Sequence, residues 1–420
     1  MIQGGRAASF MLLEAQAIGE WLLNLDDNDK RSRNKTPFHQ RLDWDAFVKK
    51  NKDRPLFRRH LRMDYTSFCK LLSLIDPHQK EVNNEMALLR GGEVIKELRL
   101  YATLRYLAGG SYSDICFFCG ISKSSFYRIL WDTIHAINKS LKIEFPQTLE
   151  QCATVAAQFE KLSYQGVMKN VVGVIDGYLI NITTPKRKRN RNIRSYFSGH
   201  YQTYGINVQA CCDAFGRFSF LGIGGPGVIK DRAAIKESGL HDKVERIPQG
   251  YVVIGDCAYQ PTERLVSIFG GNLALISDHD NFNYFASQLR IRIEMAFGSM
   301  TRKWGILQRP LTTDIEKVKY VILAIARLHN FCINERLDTR ADNVEENLNF
   351  VNEKENHGSK LNDVQLAYMT IAADLEYEEI LSNEYPQWSL ARERLVKDVK
   401  EKGLSRPSHS ILQRKQKMKS

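Results

Sequence analysis

Three acids stand out by their type and their setting. Asp176 closes the apolar run VVGVID, Asp256 closes YVVIGD, and Glu294 lies inside LRIRIEMAFGSM. Carboxylates are hard oxygen donors, and three that converge form a ligand set for a divalent cation such as Mg2+ or Mn2+. Ions held in this way serve phosphodiester chemistry: they lower the pKa of an attacking water or 3′-hydroxyl and stabilise charge on the leaving oxygen. Each acid alone has a plainer reading. A strand-end Asp often only caps the turn that follows, and Glu294, one turn after Arg290, fits a solvated helix pair worth about 0.2–0.5 kcal/mol. Two further carboxylates compete. Asp213 sits in the turn DAFGR, where Asp makes local backbone hydrogen bonds, and Asp231 lies in GGPGVIKDRAAI.

Side chains so far apart in the chain need a sheet and a helix to bring them together. VVGVID and YVVIGD are short β-branched runs, and YGINVQACCD and RFSFLGIG flank DAFGR as the two arms of a hairpin. PTERLVSIFG, NYFASQLRIRIEMAFGSMTRKWGIL and EKVKYVILAIARLHNFCINERL read as helices of increasing length. In the second of these, Leu289, Ile293, Phe297 and Met300 form the apolar stripe. The expectation is an α/β catalytic domain over residues 165–337, with Asp176 and Asp256 at the C-terminal ends of strands, where such sheets place functional groups.

Upstream, residues 1–90 read as a helical lead-in and residues 91–150 as a helix-turn-helix-like region. In the latter, EVIKELRLYATLRYLAGG, SYSDICFFCG and ISKSSFYRILWDTIHAINKSL are three helices with a tight turn at Gly120-Ile121-Ser122. Ser122 is placed to cap the third helix. That helix would carry Lys123, Ser124 and Arg128 toward DNA phosphates or base edges, the alternative being an ordinary helical hairpin in a core. Downstream, residues 338–363 are polar and read as a flexible linker. Residues 364–420 read as a helical C-terminal extension ending in the basic tail RKQKMKS.

Charge is concentrated in one place. The segment TTPKRKRNRNIRS carries Lys186, Arg187, Lys188, Arg189, Arg191 and Arg194 between the first acid and the hairpin. Such a run suits DNA phosphates beside a cleavage site or a nuclear localisation signal, with a solvated loop as the alternative. Tyr196, Phe197, Tyr201 and Tyr204 follow, available for stacking on bases or for the core. Over the whole chain, 60 Lys and Arg against 48 Asp and Glu give a net charge of +12, which favours a polyanionic partner without naming it.

Other classes fall away. The eight cysteines are scattered through apolar stretches, and Cys116 and Cys119 lack a second ligand pair at zinc spacing, so they read as buried thiols. Glu14 and Glu20 interrupt the apolar N-terminus, which fits an amphipathic helix rather than a signal peptide. VKYVILAIARLHNF is broken by Lys319 and Arg327 and is too short to span a bilayer. A soluble protein with no membrane role is expected.

The ordered set VIDGYLINI, the basic gap, GINVQACCDAFGRF, IGDCAYQ, RIRIEMAFGSMTRKWGIL and ARLHNF resembles PIF/Harbinger-type DDE transposases. The resemblance covers roughly residues 55–335. It implies an RNase H-like catalytic core, a mixed sheet flanked by helices, with Asp176, Asp256 and Glu294 as its first, second and third acids and as ligands of Mg2+ or Mn2+. It also implies cleavage and joining of DNA at transposon ends and target sites, a nuclear location, a homo-oligomer and a separate Myb/SANT-like partner protein. One departure stands out: where the family often shows Gly-Ser followed by His-Asp, Lys230 here precedes Asp231. Two other classes remain open: a DNA-binding or regulatory protein that keeps the fold without cutting, and a basic structural protein.

Overall fold

Four of the helices in the N-terminal half start at a side-chain cap. The computed structural model describes residues 41–80, 93–186, 192–337 and 389–407. Its first helices are α1 (Trp44–Asn51), α2 (Pro55–Leu61), α3 (Tyr65–Ile75), α4 (Lys96–Leu107), α5 (Tyr112–Cys119), α6 (Lys123–Ser140) and α7 (Leu149–Leu162). Asp43 and Asp64 accept the N–H of the third residue on at α1 and α3, Ser122 does so at α6, and Thr148 with Gln151 forms a full capping box at α7. Trp44, Phe47, Phe57, Phe68 and Tyr101 then form a ring cluster that ties α1 to α4 together. Helix α7 was not expected from the sequence, whereas the other helices between residues 93 and 141 were. The lead-in residues 1–40 and residues 81–92 lie outside the described residues, as do residues 338–388 and the basic tail.

The sheet has six strands: β1 (Val171–Asn181), β2 (Phe197–Ser198), β3 (Thr203–Cys212), β4 (Phe218–Pro226), β5 (Val252–Gly255) and β6 (Leu265–Ser267). Its order is β2-β3-β1-β5-β6, with β4 also pairing β3. β1–β3 and β3–β4 are antiparallel, while β5 and β6 run parallel to β1. The expected hairpin is β3–β4. Asp213 closes it as a turn residue, its Oδ1 accepting the Phe215 and Arg217 N–H groups, both at 2.9 Å.

The remaining helices are α8 (Asp231–Glu237), α9 (Leu240–Val244), α10 (Ser277–Lys303), α11 (Ile315–Leu337) and α12 (Leu390–Glu401). On one face of the sheet Val174, Ala210, Cys212 and Ile254 join Leu289, Ile293 and Phe297 of α10 in one buried cluster. On the other face Val172, Ile175, Cys211 and Val253 meet Ile235, Leu240 and Val244 of α8 and α9, with Cys152 and Ala156 of α7. A mixed sheet flanked by helices is compatible with the expected RNase H-like core.

One element differs from the expectation. PTERLVSIFG was expected to be helical, but it contains strand β6, with all three of its residues buried. A short apolar run covered on both faces has no polar alternation, so its periodicity does not separate strand from helix. The β6 edge is then covered by α12. The Ser389 hydroxyl donates to the Thr262 carbonyl at 2.7 Å, Arg392 lies 4.0 Å over the Phe269 ring, and Arg406 pairs with Asp280 of α10 at 2.8 Å. None of the eight cysteines forms a disulfide; Cys119 is buried and Cys116 half-buried. Among the described residues, no helix is long and apolar enough to cross a membrane.

Candidate active site

Register along β1 and β5 fixes where two of the acids lie. Val174 pairs with Ile254 on the parallel neighbour, so two residues further on Asp176 and Asp256 stand at the same level on adjacent chain segments. Asp256 follows the last residue of β5, as expected. Asp176 does not end its strand. β1 runs on to Asn181 because GYLINI continues to pair with β3, through Gly177↔Gln209 to Asn181↔Gly205. Asp176 therefore sits in mid-strand, at the point where β1 outruns β5.

The third acid is delivered by α10. Leu289, Ile293, Ala296, Phe297 and Met300 bury one side of this helix, and Phe297 stacks on Tyr178 of β1 with ring centroids 4.8 Å apart. Glu294 lies on the flank of that stripe. The Arg290 guanidinium donates from Nη2 to Glu294 Oε1 at 3.1 Å, with side chains 10% and 32% exposed. A pair this enclosed is not the solvated helix pair of the plainer reading.

Electrostatics ties these groups together. Burial raises the Asp176 carboxyl to about 7 from an ordinary 3.8; Arg290 opposes the rise, and Glu294 and Asp231 add to it. The Gly177 N–H donates to Asp176 Oδ1 at 2.8 Å. The Tyr259 phenol is pushed well above its usual range by burial and then by Asp231, Asp256 and Asp176, with Arg290 opposing. Tyr201 is 61% exposed, yet desolvation of its hydroxyl and the charges of Asp176 and Asp231 raise its pKa.

Folding therefore has a proton linkage here. Between about pH 4 and pH 7 the folded Asp176 keeps a proton that the unfolded chain releases, so its contribution to stability declines as pH rises through that window and stays lost above it. Asp176→Asn, which keeps the oxygen that accepts from Gly177, should raise stability at pH 8 without divalent ions by about 1–2 kcal/mol and change little at about pH 4. Urea unfolding at the two pH values measures this. A variant less stable than the parent at pH 8 would contradict it.

Sequence reasoning left one part of the site unassigned. Asp231 opens α8 and its Oδ1 accepts from Gln209 Nε2 at 2.7 Å and from Asn207 Nδ2 at 3.0 Å. Gln209 Oε1 in turn accepts from the Tyr259 hydroxyl at 2.6 Å. The available signal was two polar residues two apart, Asn207 and Gln209, in an otherwise apolar strand, which places both on one face. Gly177 makes room for this network. A Cβ there would overlap the Asp231 carboxylate and stand 2.8 Å from Gln209 Nε2. Gly177→Ala should therefore cost about 1–3 kcal/mol, read as a lowered melting temperature. A melting temperature unchanged within a degree would show that Asp231 moves aside freely.

The acids approach one another without closing. Among the described residues, no three His, Cys, Asp or Glu side chains sit close enough together to hold a metal ion. The donors still fit a hard divalent ion: they are carboxylate oxygens, and Asp176 holds its proton abnormally tightly amid other acids.

The expected DNA-contacting residues fall in two regions. Lys123, Ser124 and Arg128 are exposed on the first turns of α6, after the turn in which Gly120 takes a φ of 62°. Lys186 and Arg194 are exposed on either side of the basic segment, while Arg187, Lys188, Arg189 and Arg191 lie outside the described residues. The second region leads to the site: the Val228 N–H donates to the Ser195 carbonyl at 3.0 Å, three residues before Asp231.

Residues 175–330 match the family model of the DDE superfamily endonucleases. This endonuclease-like region begins one residue before Asp176, contains Asp256, Asp231 and Glu294, and ends at Asn330. The chain is also 22% identical over 326 residues to a protein described as ALP1-like from Arabidopsis thaliana, covering 72% of this chain and 78% of that protein. No solved structure gives a significant match.

Proposed function

We propose that this protein is a DNA endonuclease of the transposase type, of the PIF/Harbinger group, which cuts and joins phosphodiester bonds at the ends of a mobile element. One observation supports the reading: within the endonuclease-like region, Asp176 and Asp256 stand level at the end of β5, and Phe297 of α10 stacks on Tyr178 of β1, which sets the helix carrying Glu294 against the strand carrying Asp176. Asp176, Asp256 and Glu294 would hold Mg2+ or Mn2+, whose charge would lower the pKa of an attacking hydroxyl and stabilise the leaving oxygen. The chain's own residues do the rest. Lys186, Arg194 and the basic residues between them bind phosphates beside the site, Lys123, Ser124 and Arg128 hold the duplex further away, and Tyr201 stands where a displaced base could stack. A nuclear location, self-association and a Myb/SANT-like partner belong to the same proposal.

A second reading, a DNA-binding protein that does not cut, is favoured by the Arg290–Glu294 ion pair and by the open spacing of the acids. Both readings require DNA binding that weakens steeply with salt. They part over cleavage. The full chain, incubated with supercoiled DNA carrying inverted repeats, should produce nicked circles with Mg2+ or Mn2+ and none with EDTA. Salt-sensitive binding with no nicking in either metal would establish the second reading instead.

A further inference from the structure

Burying a guanidinium in α10 is costly unless a negative partner compensates it, and Arg290 is only 8% exposed. Its partners are the acids of the candidate site. It donates to Glu294 at 3.1 Å, and its charge opposes the effect of burial on Asp176 and on Tyr259. Spacing explains how it gets there: residues four apart on a helix lie one above the other, so Arg290 and Glu294 share the flank of α10 that faces β1. We infer that Arg290 is the resident counter-ion of the metal-free site, a positioning residue that holds Glu294 and must release it before a divalent cation binds. This inference rests on the reading of these acids as metal ligands.

The consequence is competition. A guanidinium and a divalent ion drawn to the same carboxylates repel each other. Linkage makes the penalty reciprocal: the stability that comes from the arginine's attraction to these acids, and that metal binding gives up, is subtracted from metal affinity. The arrangement keeps the site weakly charged until metal arrives, which moves nicking to a higher metal concentration.

Calorimetric titration of Mn2+ into the full-length protein, together with melting curves with and without Mn2+, tests this in the parent, Arg290→Gln and Arg290→Lys. Arg290→Gln should bind Mn2+ about tenfold tighter or more and melt at a lower temperature than the parent without metal. The rise that Mn2+ produces in its melting temperature should exceed the parent's. Arg290→Lys, which keeps the charge but loses the planar fork, should fall between the two. A merely structural role predicts the opposite sign, weaker binding in a loosened site. Arg290→Gln binding Mn2+ no tighter than the parent, while the parent still nicks DNA only with metal, overturns the role of Arg290 and leaves the proposed function standing. Failure of all three proteins to bind Mn2+ overturns both. Should Arg290→Gln not fold even with Mn2+, Arg290→Lys decides: affinity equal to or weaker than the parent's rejects the inference.

Discussion

Asp256→Asn should lower metal-dependent nicking by about a thousandfold or more while leaving DNA affinity within about threefold of the parent. The substitution removes the charge and keeps the shape of the side chain. Asp256 is 8% exposed, and its Oδ1 accepts the Ala258 N–H at 3.1 Å, a bond the amide oxygen of Asn preserves. The turn after β5 therefore stays intact. What disappears is one of the two carboxylates standing level on adjacent strands, and a neutral amide is a poor ligand for a hard ion that needs compensating charge. Contacts to DNA phosphates lie elsewhere, on α6 and along the basic segment, so binding persists. Nicking rates, DNA titrations and melting curves on the same preparation separate these effects. Cleavage within tenfold of the parent, by a variant that melts normally, would remove Asp256 from the catalytic set.

The second large effect concerns stability. Asn330→Ala should destabilise the fold by about 2–4 kcal/mol, because it strips two hydrogen bonds from one backbone unit. The Asn330 side chain accepts the Phe218 N–H at 2.8 Å and donates to the Phe218 carbonyl at 2.7 Å, so that α11 closes the outer edge of β4. Its neighbour His329, 2% exposed, reaches the Gly216 carbonyl in the hairpin turn at 3.0 Å. Alanine leaves both Phe218 groups without that partner next to a packed core. A loss of this size is a large fraction of the stability of an ordinary domain. Chemical denaturation measures it directly, and a change below about 0.5 kcal/mol would mean that water replaces the amide there.

These two residues also mark the boundary of what the sequence discloses. Asp256 was legible because a buried parallel strand is written as an unbroken apolar run, and the first acid after it must lie at the strand's end. The same logic misplaced Asp176 within its strand, since GYLINI belongs to a hairpin arm whose partner lies some thirty residues further along the chain and leaves no local mark. Asn330 was visible only as part of the ARLHNF signature. Its task, closing the edge of a strand more than a hundred residues earlier in the chain, is a tertiary fact. Asp231 was recognisable as a carboxylate but not as a neighbour of Asp176, because the network that holds it is assembled from β3 and the turn after β5. The helix cap at Ser122 was the opposite case. It is a local hydrogen bond between residues three apart, and the chain states it openly.

The return of α12 to the far border of the sheet matters for any effort to work with a smaller piece. Ser389, Arg392 and Arg406 bind Thr262, Phe269 and Asp280, all of which lie inside the span that resembles an endonuclease, although the helix itself lies well outside it. A recombinant fragment trimmed to residues 175–330 would leave that border bare, inviting strand-to-strand association between copies. The fold thus extends beyond the recognisable part, and the helix that covers this border is encoded some sixty residues after the family match ends.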